Sequence, residues 1–155
     1  MAKFYSKMAK AVDVAKYLII RSMKDEYNDL TNLKLQKLCY YAQGVYSKLT
    51  NGKRLFEEEI EAWRHGPVIK KVYKEFLKQN GILKISEDYD NLNLTQKEKD
   101  AISDCYEFFS QYSAWKLSEM TRSEIPWKKH YEEGMNNVIS FDDIRDFFDK
   151  ALNVN

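Results

Sequence analysis

Apolar residues recur at helical spacing over two long stretches in the first third of the chain. The first stretch, from about residue 7 to 24, predicts a helix with one buried face. That face would consist of Met8, Val12, Ala15, Ile19 and Met23. The second stretch ends at Leu49 and begins after Thr31 or Asn32, either of which can cap a helix. It is apolar on two sides, which predicts a central helix with other elements packed against both.

The pattern changes to a period of two after the Asn51-Gly52 turn signal. Phe56, Ile60 and Ala62 alternate with glutamates from Glu57 to Glu61, which is typical of a half-exposed strand. Farther on, the four residues 82–85 form a candidate partner strand. The sequence therefore predicts a small β element after the second helix.

Local signals predict further helices in the second half. Gly66-Pro67 suits a helix start because proline is favoured at the first helical position, and the Asn80-Gly81 pair suits its end. Thr95 begins a capping box with Glu98. Shorter helices are predicted at residues 115–120, after Pro126 and after Ser140. We predict one domain over residues 1–155, mainly α with a small β element.

Composition narrows the class of protein. The net charge is only +1, although residues 1–54 carry a net +7, which either faces an acidic partner or is balanced inside the fold. The first ten residues hold no apolar run, so we expect no signal peptide. The longest apolar run, from Leu38 to Ala42, is too short to span a membrane. Two unpaired cysteines, Cys39 and Cys105, fit a reducing compartment, so we expect a cytoplasmic protein.

Candidate chemistry is sparse. The only histidines, His65 and His130, lack the short spacing to cysteines that structural zinc sites use. The acidic run from Glu57 to Glu61 is more typical of a solvated strand face than of paired catalytic carboxylates. Phosphate-binding glycine motifs are missing from the sequence. We therefore expect no catalytic residue, metal or cofactor, and predict that the chain is not an enzyme.

Polar and aromatic residues of the kind that dominate protein interfaces do occur in clusters. We predict a partner-binding set consisting of Gln36, Lys37, Tyr40, Gln43, Trp63, Arg64, His65, Arg122 and Trp127. On the central helix, Gln36, Tyr40 and Gln43 share one sector with Lys37 at its edge. If that sector is exposed it forms a contact surface, and if it is buried Tyr40 belongs to the core.

Several segments together resemble one family. They are Thr31–Leu38 and Tyr40–Gln43; Ile60–Trp63 with Gly66–Val68 and Tyr73; and Leu117-Ser118, Thr121 and Pro126-Trp127. In this order and spacing they resemble the Panacea domain, also called the SocA-like or phage-associated GepA-like family. One position departs, because members usually carry histidine where this chain has Arg122. Arginine still donates hydrogen bonds there, so an architectural role can survive.

The resemblance implies an antitoxin that neutralises a co-encoded toxin by direct binding. Some members look like adaptors that deliver the toxin to an ATP-dependent protease, and many belong to phages or other mobile elements. Two alternative functions remain to be distinguished from this one. One is an enzyme with a site near Trp63, His65 and Arg122, and the other is a nucleic-acid-binding regulator that uses the basic N-terminal third. The second lacks a helix-turn-helix signature and a basic stripe, so we do not expect a nucleic acid partner.

Overall fold

The computed structural model describes residues 8–151, which form seven α-helices and one three-stranded antiparallel sheet. This confirms the predicted mainly helical α+β class. The helices are α1 (Ala11–Ser22), α2 (Asn32–Leu49), α3 (Lys70–Glu75), α4 (Gln96–Phe109), α5 (Ala114–Arg122), α6 (Ile125–His130) and α7 (Phe141–Ala151). The strands are β1 (Ile60–Trp63), β2 (Gly66–Val68) and β3 (Val138–Ile139), and a 3-10 turn spans Tyr89–Asn91.

Helix α2 lies at the centre, as its two apolar sides predict. Every residue from Lys34 to Val45 is buried, and α1, α4, α5 and α7 all pack against this helix. Thr31 is the N-cap, since its hydroxyl accepts a hydrogen bond from the amide of Lys34 at 3.3 Å. Gly44 lies against the ring of Phe148 in α7, which fills the space that a side chain at this position would occupy.

The first predicted helix is shorter than expected, and its predicted face is buried at Ala15 and Ile19 but not at its ends. Helix α1 ends at Ser22, and its fully buried residues include Val14 and Leu18. Met8 and Met23 flank the helix and are 39% and 45% exposed, so the predicted face is wrong at both ends.

The sheet has the order β2-β1-β3, and two predictions about it are wrong. Pro67 does not open a helix; it is buried in β2 opposite Ala62, and α3 begins only at Lys70. Residues 82–85 do not pair with β1, whose second partner is β3. The amide of Leu83 instead donates a hydrogen bond to the carbonyl of Leu30 at 2.9 Å.

Other local predictions are confirmed in the second half. Thr95 and Glu98 form the capping box of α4, with hydrogen bonds of 2.8 and 3.1 Å. Helix α6 carries Pro126 in its first turn. Helix α7 follows Ser140 and faces the core through Ile144 and Phe148, whereas Ala151 at its end is exposed.

Candidate functional site

The tight turn that joins β1 to β2 is held by side chains from several helices. The indole N–H of Trp127 in α6 donates a hydrogen bond to the carbonyl oxygen of Trp63 at 2.8 Å. The hydroxyl of Ser118 in α5 donates to the carbonyl oxygen of His65 at 2.6 Å. Backbone groups that a short hairpin leaves unpaired are therefore satisfied by remote side chains, which fixes the turn in one conformation.

Two polar residues of α2 fix the strand that follows the turn. Lys37 Nζ donates to the carbonyl oxygen of Pro67 at 3.0 Å, and Gln36 Oε1 accepts from the amide of Ile69 at 2.9 Å. Gly66, with φ of +118°, leaves room for this arrangement, because a Cβ at that position would lie 2.9 Å from Cε of Lys37. Side chains of α2 thus hold the second strand of the hairpin through hydrogen bonds to its backbone.

These bonds decide between the two alternatives for the α2 sector. Gln36, Lys37, Tyr40 and Gln43 are all 1% exposed or less, so the buried alternative holds and Tyr40 belongs to the core. The physical reason is that remote groups satisfy them: backbone groups for the two glutamines and the lysine, and the carboxylate of Glu124 for Tyr40. Gln43, for example, donates to the carbonyl oxygen of Phe56 at 3.0 Å.

What the hairpin exposes is a surface of aromatic and cationic side chains. Arg64 and His65 at its tip are exposed, and Trp115 of α5 lies beside them, 57% exposed, with its ring 6.2 Å from that of His65. The guanidinium of Arg122 lies 5.5 Å from the Trp115 ring, a cation–π contact. We call these four residues the tip surface. Sequence reasoning missed Trp115, although it was one of only three tryptophans.

Arg122 also has a structural contact. Its Nε donates to the carbonyl oxygen of Ser118 at 3.3 Å, one turn earlier in α5. The position that departs from the usual family pattern therefore keeps an architectural hydrogen bond and adds a cation to the tip surface.

A groove of about 440 Å³ opens on the other side of the hairpin, between the first turn of α2 and the segment after α3. Its apolar lining comes from Leu33, Trp63, Tyr73 and Leu77, and the rings of Trp63 and Tyr73 meet edge to face at 5.2 Å. Arg64 and His65, shared with the tip surface, also line it. The structure therefore brings five predicted residues together here: Gln36, Lys37, Trp63, Arg64 and His65.

The buried amine of Lys37 lies in the wall of this groove. Burial, together with the nearby charge of Arg122, lowers the pKa of Lys37 to about 7. Within residues 8–151, no carboxylate forms an ion pair with this amine. In the part of the chain that the structure describes, the only hydrogen bond of this buried amine is to a carbonyl oxygen.

A second buried ionisable group lies between α5 and α6. Glu124 accepts hydrogen bonds from the hydroxyls of Tyr40 and Tyr41, at 2.9 and 2.7 Å. Burial raises the pKa of this carboxyl to about 7, although both tyrosine hydrogen bonds act in the opposite direction. These bonds tie the central helix to the end of α5.

The two cysteines and His130 contribute to packing and to contacts between helices. Cys39 and Cys105 are fully buried, and burial raises the pKa of both thiols, which disfavours the reactive thiolate. His130 contacts Asp143 at 2.6 Å and connects α6 to α7. No cluster of three or more potential metal ligands occurs among residues 8–151. Within the same part of the chain, no helix combines the length and apolar character needed to cross a membrane.

Comparison with known proteins identifies the family. The model of the family described as "Antitoxin SocA-like, Panacea domain" matches residues 35–128, more than half of the 155-residue chain. Neither a curated protein nor a solved structure matches the chain. The matched range contains the side chains that hold the hairpin, from Gln36 and Lys37 in α2 to Trp127 in α6. This chain therefore belongs to the SocA-like antitoxin family and carries its Panacea domain.

Proposed function

We propose that this protein is a cytoplasmic antitoxin that neutralises a co-encoded toxin by direct, stoichiometric binding, without catalysis. Family membership supports the antitoxin role. The observation that carries the binding mode is the tip surface, which is formed by α5 and by a hairpin whose turn is fixed by α2, α5 and α6. A surface fixed before binding loses little conformational entropy when the partner arrives, which favours tight complexes.

The chemistry of the tip surface suits an interface. Tryptophan and arginine are the residue types most enriched among the few that dominate binding energy, and both occur here. Trp115 and Arg64 are exposed, so a partner can cover them without unfolding any part of the domain. The mechanism we propose is occlusion, in which this rigid surface covers the active site or the membrane-active segment of the toxin.

The test is co-expression of the chain with the product of the adjacent gene, followed by measurement of growth and of complex stoichiometry. We expect rescue of growth and a complex of fixed composition. Trp115→Ala should weaken binding by roughly thirtyfold, the equivalent of a hot-spot loss of about 2 kcal/mol. Arg64→Glu should slow association with an acidic partner surface.

The matched control is Lys53→Glu, which makes the same change of charge at an exposed residue beyond the opposite end of α2. It should rescue growth as well as the parent chain. If Lys53→Glu and Arg64→Glu weaken binding equally, the tip surface is not the interface. A chain that neither binds nor neutralises its neighbour would overturn the antitoxin proposal.

The half-life of the toxin separates occlusion from delivery to a protease. Occlusion leaves the toxin at least as long-lived in the presence of the antitoxin, because a bound partner unfolds less often. Delivery to an ATP-dependent protease shortens that half-life in proportion to the antitoxin present. A shortened half-life would replace occlusion with the adaptor mechanism.

A further inference from the structure

The groove beside the hairpin combines apolar walls with positive charge. Leu33 is 37% exposed and Leu77 is 52% exposed, so apolar area lies open to solvent on both of its sides. Two cationic or titratable side chains, Arg64 and His65, line the same groove. None of the described residues that line it carries a carboxylate, and the Glu61 carboxylate next to the wall accepts a hydrogen bond from the indole N–H of Trp63 at 2.8 Å.

Two further features add to this positive field. The first turn of α2, an 18-residue helix, lines the groove through Thr31, Asn32 and Leu33, and a helix N-terminus carries partial positive charge. Lys37 lies in the wall, wholly buried and without a carboxylate partner among residues 8–151. When the Lys37 amine is protonated, its charge inside a low-dielectric wall acts on a bound anion through its field, because no water screens it.

We propose that the groove binds an internal segment of the partner protein in which apolar side chains lie between acidic ones. Apolar side chains would pack on Leu33, Trp63, Tyr73 and Leu77, and the flanking carboxylates would face Arg64 and His65. This inference rests on the proposed function, because it names the chemistry of the toxin segment that the antitoxin recognises.

The distribution of the basic groups favours an internal segment over a chain terminus. Arg64 and His65 lie at the hairpin tip, Lys37 lies in the wall, and Arg122 continues the positive surface beyond Trp115. A single terminal carboxylate would use one of these positions. Several carboxylates along a bound segment would use more of them, which also increases specificity against neutral segments.

The experiment is a titration of the full-length, ¹⁵N-labelled chain with three short peptides. In the first, capped at both ends, leucine and phenylalanine lie between two aspartates. The second replaces both aspartates with asparagine. The third keeps the asparagines but ends in a free carboxylate. Binding is followed by the indole N–H signal of Trp63 and by fluorescence anisotropy.

We expect the aspartate peptide to shift the Trp63 signal and to bind about tenfold more tightly than the asparagine peptide. Leu77→Ser should weaken this binding about tenfold through loss of apolar contact. Its matched control is Leu49→Ser. Leu49 is 56% exposed and lies about 24 Å from Leu33 along α2. This control should leave the affinity unchanged.

Several results would overturn the inference: no binding of the aspartate peptide, equal binding of the asparagine peptide, or equal weakening by Leu77→Ser and Leu49→Ser. Tightest binding of the third peptide would replace the internal segment with a chain terminus. The titration needs no toxin, so its failure is separate from failure of the proposed function. A chain that neutralises its neighbour but binds no peptide refutes only the groove, and the reverse result refutes only the antitoxin role.

Discussion

The variant Lys37→Met tests directly whether burial lowers the pKa of Lys37. Methionine has an unbranched chain of similar length, so it can follow the path of the lysine stem past Gly66. The substitution removes the amine and leaves the carbonyl oxygen of Pro67 without its 3.0 Å donor. That lost bond costs about 1–3 kcal/mol at any pH, whereas the cost of burying a charge depends on pH.

The size and sign of the pH effect follow from the pKa of Lys37. Its usual value of 10.5 falls to about 7 in the folded protein because of burial and the charge of Arg122. Between these values the unfolded chain holds the proton and the folded one does not, so stability rises with pH. At 1.36 kcal/mol per pKa unit, the gain from about pH 7 to about pH 9.5 is about 3 kcal/mol. Below the folded pKa both states are protonated, and the penalty is constant.

The assay is urea unfolding of the parent chain and of Lys37→Met at a series of pH values across this window. Other groups titrate alike in both proteins, so the difference between the two free energies of unfolding isolates Lys37. We expect that difference to change by about 3 kcal/mol in favour of the parent as the pH rises, or roughly 6–12 °C in Tm.

Parallel curves for the two proteins would refute the reasoning, because they would mean that Lys37 keeps an ordinary pKa. If Lys37→Met does not fold, the same point is settled in the parent chain. NMR of the ¹⁵Nζ nucleus should then report the loss of the Lys37 proton near pH 7. A midpoint near the usual lysine value would contradict the prediction.

Three other predictions concern packing and the second buried group. Gly66→Ala should lower the free energy of unfolding by about 1–3 kcal/mol more than Gly81→Ala, as measured by thermal denaturation. Both glycines have positive φ, but of the two only Gly66 would bring the new Cβ within 3 Å of other atoms. Gly44→Ala should lower Tm despite a gain of about 1 kcal/mol in helix propensity, because its Cβ would lie 2.4 Å from the Phe148 ring. Adding Phe148→Leu should recover part of that loss, and strict additivity in the double mutant would contradict the assigned contact. Glu124, with its pKa raised from 4.5 to about 7, contributes stability below about pH 4.5 that is lost as the pH rises to about 7. Glu124→Gln should therefore flatten the dependence of unfolding free energy on pH across that window. An unchanged slope would mean that the Glu124 carboxyl keeps its usual pKa.

Sequence alone determined the features that depend on near neighbours. The caps at Thr31 and Thr95 are readable because the side chain and the amide it binds lie three residues apart. The central position of α2 was readable for a related reason, since apolar residues on two sides of one helix need partners on both. The resemblance that predicted an antitoxin also lay in the sequence, because it rests on residue order and spacing alone.

Tertiary structure decided which polar residues are buried and how the hairpin is held. The sequence left open whether Lys37 and Gln36 are exposed, because their partners lie 30 and 33 positions away, on the backbone of Pro67 and Ile69. A polar side chain is buried only where a remote group pairs with it, and helical periodicity carries no information about that group. Pro67 illustrates the same limit: proline suits both a helix start and a short strand next to a turn, and only the pairing with Ala62 selects the strand.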